Sequence, residues 1–307
     1  MGFSNVTKLN QRARAAGGMK LAVALLTSVG LFAMVAQDAG RSADLKRAAD
    51  LYERTDYAGA LRILKQVNPP DGAALELMGE SSLMQGDFRK ATDYLEKAVA
   101  LDPRNSDYVL WLGRAWGRRA ETATPFTAPV YAGRARDCFE KAVQLNPRNE
   151  EALSDLFNYY LEAPGFLGGG SAKAQAIADR LQQIDPAEAH LALAQMASKR
   201  KQVGETEAQL RRAVQLAPRS VGRVIALAKF LAREGRVNES EAVLAQADSI
   251  SPNNPRVMFE RANIYVESHR NLDQARELLK RYLESNLTPD DPPREKAQEL
   301  LRRVAGA

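Results

Sequence analysis

Few residues in this chain are placed to do chemistry. The run Gly168-Gly169-Gly170-Ser171-Ala172-Lys173 comes nearest to a phosphate cradle, because glycines ahead of a helix leave amides open to an anion. The same glycines read more simply as a turn that lets a long loop re-enter a helix, with Ser171 as its N-cap. No GxSxG, HExxH, CxxC or GxxxxGKS/T pattern occurs. Cys138 is the single cysteine, so no internal disulfide forms, and beside Phe139 it reads as a small packed residue rather than a nucleophile. His190 and His269 lie far apart without ligand-like neighbours. Carboxylates such as Glu295 and Glu299 flank basic residues, as on a solvated helix face. No metal site, no cofactor and no enzymatic activity is expected.

Charge narrows the function further. The chain of 307 residues carries 43 basic and 38 acidic side chains, a formal net charge of +5. Residues 1–36 hold Lys8, Arg12, Arg14 and Lys20 and no acid, so the remainder is close to neutral. Aromatic residues make up 7% and do not alternate with basic ones, which argues against a nucleic-acid partner. The four cations precede the longest apolar run, LAVALLTSVGLFAMVA at 21–36, with Gln37, Asp38 and Arg41 behind it. This is the layout of a secretory signal, with Met19 as a second possible start and cleavage expected near Ala36 or Ala39. The alternative is an N-terminal membrane anchor, although the run is shorter than the roughly 20 residues of a full span. Residues 1–37 are therefore expected to act as signal or anchor, leaving an exported body that meets the membrane only through this segment if it is uncleaved.

The elements that would position any site are short helices. Residues 72–105, GAALELMGESSLMQGDFRKATDYLEKAVALDPRN, read as two amphipathic helices back to back. Leu75, Met78, Gly79 and Ser82 share one face, Gly86-Asp87 breaks the helix, Ala91, Leu95 and Ala98 recur at i, i+4 and i+7, and Pro103 stops the chain. Gly79 and Ala91 are small where the helices cross, and Leu95 fills the gap beside them. Copies follow. Residues 42–70 give a degenerate first one through Ala60, Leu64 and Val67; the third has Leu112, Gly113 and Trp116, then Ala135, Phe139 and Ala142. The fourth has Leu153, Leu156 and Tyr160, then Ala174 and Ala178, and the fifth Leu193, Ala194, Leu210 and Ala213. The sixth has Val224, Leu227, Ala228 and Leu231, then Leu244 and Ala247; the seventh has Met258, Ala262 and Tyr265, then Ala275, Leu279 and Tyr282.

This pattern resembles the tetratricopeptide repeat, a helix-turn-helix unit of about 34 residues. The resemblance implies an all-α fold: a right-handed α-solenoid of about seven such helix pairs over 42–288, ending in a capping helix over 292–307. Two turns between paired helices are too long. AETATPFTAPVYAG at 120–133 contains two prolines and reads as an irregular excursion, and PGFLGGG at 164–170 is the other. Each carries an aromatic beside proline or glycine, Phe126 and Phe166, and the two are expected to form a shared apolar lip.

By the same resemblance the first helices line a concave groove, with positions 2, 5, 9 and 13 of each repeat facing a partner. Position 5 holds Leu110, Ser154, Leu191, Ile225 and Phe259, and position 9 holds Arg114, Asn158, Gln195, Lys229 and Asn263. Position 13 adds Arg118, Lys199 and Arg233. An apolar stripe beside a partly basic one suits a peptide or helix with apolar anchors and some acidic character, or else is partly exposed packing. The Lys/Asn/Arg set with which some family members clamp a chaperone's terminal carboxylate is absent. The function expected is a protein-interaction scaffold or assembly factor of the cell envelope. The alternative is a small-ligand or glycan-binding solenoid using the two loop insertions.

Overall fold

A computed structural model of the protein describes residues 41–305, and every element in that range is helical. Seven helix pairs follow one another: α1 (41–53) with α2 (Tyr57–Leu64), α3 (Gly72–Met84) with α4 (Phe88–Leu101), and α5 (Ser106–Thr122) with α6 (Ala128–Leu145). Next come α7 (Glu150–Glu162) with α8 (Ser171–Leu181), and α9 (Pro186–Lys199) with α10 (Val203–Leu216). The last pairs are α11 (Val221–Arg233) with α12 (Val237–Ile250), and α13 (Pro255–Glu267) with α14 (Leu272–Glu284), followed by a single helix, α15 (Arg294–Ala305). The expected signal or anchor at 1–37 lies outside the described residues. Among those residues no helix is long and apolar enough to cross a membrane.

Local chemistry sets the helix starts. Asp56, Asp71, Asp87, Asn105, Asn149, Asp185 and Asn254 each accept a hydrogen bond from a backbone N–H of the first turn they cap. In five of the seven pairs the chain reverses between the helices through a left-handed residue. Gly86 and Gly235 take it at φ 78° and 77°, whereas Thr55, Lys201 and His269 occupy the equivalent place at φ 61°, 59° and 51° without being glycine.

Packing then builds an array. Each first helix packs on its partner, each second helix on the next first helix, and α3, α7 and α11 also reach α5, α9 and α13. No repeat buries its apolar face alone, so the core runs along the array. At the helix crossings the small residues are obligatory. A Cβ on Gly79 would stand 2.4 Å from Leu95 Cγ, and one on Gly113 would stand 2.7 Å from the ring of Phe139. Leu95 and Ala91 are fully buried there. α15 closes the end by burying Ala297, Leu300 and Val304 against α13 and α14, while Arg303 turns out to pair with Glu267 at 3.0 Å.

The insertions correct the sequence reading in two places. The surplus of the third repeat is not an irregular excursion. It lengthens α5 and α6 and leaves only residues 123–127 between them. Pro129 sits at the start of α6, where a missing N–H costs nothing. The added turns are held by Trp116 stacked on Tyr131 at 5.3 Å, with Arg119 and Arg134 each over the indole at 4.6 and 4.5 Å. In the fourth repeat Ser171 is the first residue of α8 rather than its cap, and the capping position falls to Gly170 at φ 151°.

Candidate functional site

The first helices of successive repeats enclose three cavities along one face. The cavity at the N-terminal end, about 630 Å³, is lined by Tyr52 and Glu53 of α1, Glu76, Glu80 and Met84 of α3, and Asp107, Leu110, Trp111 and Arg114 of α5. Asn149, Glu151, Pro289 and Asp290 complete it. A second, about 510 Å³, has Leu191, Gln195 and Lys199 of α9 facing Ile225, Lys229 and Arg233 of α11. A third, about 440 Å³, is formed by Phe259, Glu260 and Asn263 of α13 with Lys229 and the segment Asp290-Asp291-Pro292. Lys229, Arg256 and Glu260 belong to the second and third cavities alike, and Asp290 to the first and third. The three are parts of one groove.

Repeat positions 2, 5, 9 and 13 supply about half of its walls. Leu110 and Arg114 meet in the first cavity, Leu191, Gln195, Ile225 and Lys229 in the second, and Phe259, Lys229 and Asn263 in the third. Leu110, Ile225 and Phe259 are only 2%, 2% and 6% exposed, so they form the groove floor and the packing beneath it. Arg118 and Asn158 are exposed but line none of the three cavities. Arg118 pairs with Glu121 on its own helix and lies 5.2 Å over Phe88. Phe126 and Phe166 are 91% and 82% exposed, so neither ring packs on the other, and neither lines any of the three cavities.

The groove's charge also differs from the expected partly basic stripe. Arg114 is held by Asp155 at 2.6 Å and Glu151 at 2.8 Å, with its guanidinium 4.5 Å over Trp111. Lys229 pairs with buried Glu260 at 2.9 Å, and Lys199 with Glu162 at 3.0 Å. What remains is a gradient. Carboxylates dominate the N-terminal cavity, and Arg233 and Arg256, in no ion pair among the described residues, the central one. Burial lifts the Glu76 carboxyl to about 7, with Asp107 adding to it. Burial likewise lifts Glu80 to about 8, reinforced by Glu76 and opposed by Tyr52 and Arg114. Sequence reasoning missed this end. Glu76 and Glu80 stand at positions 5 and 9 of the repeat beginning at Gly72, so the same position rule would have found them.

Most of the other chemical candidates are engaged by neighbouring groups. In the glycine loop the amide of Gly168 donates to Gly165, that of Gly169 to Pro164 and that of Gly170 to Tyr160, and Lys173 Nζ donates to the Gly168 carbonyl at 2.9 Å. Tyr159 and Arg136 both donate to the Leu167 carbonyl, at 2.9 and 3.2 Å. That loop is a fixed turn whose three glycine amides are already engaged. Burial pushes the Cys138 thiol up to about 12, far from a reactive thiolate. His190 Nδ1 bonds Gln209. Among the described residues no group of three His, Cys, Asp or Glu side chains is gathered to hold a metal.

Residues 72–105 and 231–304 each match a family model described as tetratricopeptide repeat. No curated protein matches the chain. Solved structures with the same fold include a thermophilic TPR protein of Thermus thermophilus, 23% identical over 62% of this chain and 98% of that one, with a TM-score of 0.52. A tetratricopeptide repeat protein from Parabacteroides merdae is 17% identical over 86% of this chain and 98% of its own, with a TM-score of 0.54.

Proposed function

We propose, from the premise that this chain is a tetratricopeptide-repeat protein, that it is an interaction scaffold or assembly factor of the cell envelope. Its groove binds a peptide or helix of a partner protein. Solenoids of this kind present an extended concave surface for binding. One observation carries the reading. The positions at 2, 5, 9 and 13 of successive repeats line three cavities that share walls, giving a groove far longer than a single metabolite needs. The envelope assignment is supported by the basic-then-apolar layout of residues 8–36.

Site-specific photo-crosslinking tests the groove in cells. A crosslinker at Gln195 or Asn263 should capture one recurrent protein, and one at Asp93 or Glu96, exposed on α4, should not. Capture from α4 alone would reject the groove. Fractionation of the C-terminally tagged chain should place the tag outside the cytoplasm, and an uncleaved cytosolic protein would reject the envelope assignment. A small-ligand or glycan reading has one feature in its favour. A cleft of about 650 Å³ beside the first insertion is lined by Phe88, Arg119, Thr127 and Tyr131.

A further inference from the structure

The N-terminal cavity brings together six carboxylates, those of Glu53, Glu76, Glu80, Asp107, Glu151 and Asp290, around one guanidinium, that of Arg114. Among the described residues only Glu151 of the six is in an ion pair, and it shares Arg114 with Asp155. Crowding and burial raise the cost of ionising the two deepest, Glu76 and Glu80. A carboxylate pair retained at such cost, without an ion-pair partner inside the described chain, is complementary to a cation from outside.

The walls say what kind of cation. The six carboxylates are spread around a cavity of about 630 Å³, and no three of them gather as ligands of one metal ion. Tyr52, Met84, Leu110 and Trp111 give the cavity apolar sides that a hydrated inorganic ion would not use. A lysine or arginine side chain uses both features, laying its methylene stem along apolar surface while its head meets carboxylates. The chain supplies its own precedent at this spot: Arg114 lies 4.5 Å over Trp111 with Asp155 and Glu151 at its nitrogens. Asp290, from the segment that follows Leu287, closes the far side, so a guest would be held between the first repeats and the end of the array.

We infer that the N-terminal end of the groove receives a basic stretch of the partner protein, seating an arginine or lysine side chain between Glu76, Glu80 and Trp111. This rests on the groove reading above and adds the partner's chemistry to it. The basic residues Arg233 and Arg256 in the central cavity then fix the direction in which the partner lies, with any acidic part toward α11.

Fluorescence anisotropy on the full chain at about pH 9, where Glu76 and Glu80 are ionised, tests the assignment with two fluorescein-labelled peptides, one of alternating arginine and leucine, the other with glutamate for arginine. The arginine peptide should bind, and the double variant Glu76→Gln/Glu80→Gln should weaken it about 10- to 100-fold, as expected for losing charge-assisted hydrogen bonds. Asp93→Asn/Glu96→Gln removes the same charge from exposed α4 positions outside all three cavities and should leave binding unchanged. Circular dichroism melts confirm that each variant is folded. Equal loss in both double variants would mean diffuse attraction and overturn the proposal. Tighter binding of the glutamate peptide, weakened by Arg256→Gln, would overturn the basic partner while leaving the groove in place. Binding of neither peptide would overturn both.

Discussion

Replacing Glu80 by Gln keeps the side chain's shape and removes its charge, which isolates the electrostatic cost of the acidic end. Burial, with Glu76 beside it, moves the Glu80 carboxyl from 4.5 to about 8. At about 1.4 kcal/mol per pH unit, that displacement caps the penalty for ionising Glu80 in the folded chain at about 5 kcal/mol. Water reaches the cavity and Glu76 shares the repulsion, so about 1–2 kcal/mol is the working figure. The sign follows from proton binding. Between about pH 4.5 and pH 8 the folded chain keeps protons on these carboxyls that the unfolded chain has released, so stability falls as pH rises through that window.

Thermal unfolding followed by circular dichroism at about pH 5 and about pH 8.5 reads this directly. The parent should lose about 2–8 °C in Tm across the interval, taking about 2–4 °C per kcal/mol for a chain of this size. Glu80→Gln should match the parent at the lower pH, exceed it at the higher, and show a flatter profile. Parallel profiles, or a variant less stable than the parent at the higher pH, would show that Glu80 ionises freely and that the acidic end carries no stored repulsion.

Leu95→Ala should cost about 2–5 kcal/mol, because the leucine fills the space over Gly79 and no neighbour can close the cavity it leaves; an unchanged urea midpoint would contradict the crossing geometry. Lys201→Gly should stabilise the chain by about 0.5–1 kcal/mol, since Lys201 holds φ 59° where Gly86 and Gly235 stand in other repeats. A lowered Tm would show that the lysine has a compensating contact. Phe126→Ser with Phe166→Ser should leave the Tm within about 1 °C, because both rings lie in solvent and support nothing; a clear drop would mean the loops pack more tightly than their exposure indicates.

The parts of this molecule that are legible in sequence are those fixed by steric exclusion. Where two helices cross at Gly79 and Leu95, or at Gly113 and Phe139, the backbone approach admits only a small residue on one side and a large one on the other. That constraint recurs once per repeat and so prints a period. Weaker signals fail where context outweighs them. Pro125 and Pro129 read as breakers of an irregular loop, yet Pro129 starts α6, and the aromatic and guanidinium stack around Trp116 extends both helices beyond the repeat. Lys201 and His269 carry no mark of the left-handed backbone they adopt.

The groove is half legible for a different reason. Its shape follows from the repeat, so positions 2, 5, 9 and 13 can be counted off in any copy. Its charge depends on partners from neighbouring copies, as when Arg114 of α5 meets Asp155 of α7, or Lys229 of α11 meets Glu260 of α13. No single repeat shows those pairs. Counting cations along the stripe therefore overstates its basicity, while the stretch at 72–105, read for packing through Leu75, Met78 and Gly79, hides Glu76 and Glu80 on the adjacent face of the same helix. A solenoid turns repeat number into distance along the groove, so acids in the second and third copies and bases in the sixth and seventh become two separate stretches of one binding surface. The constant positions give the groove its length, and the changing residues at those positions give it a direction.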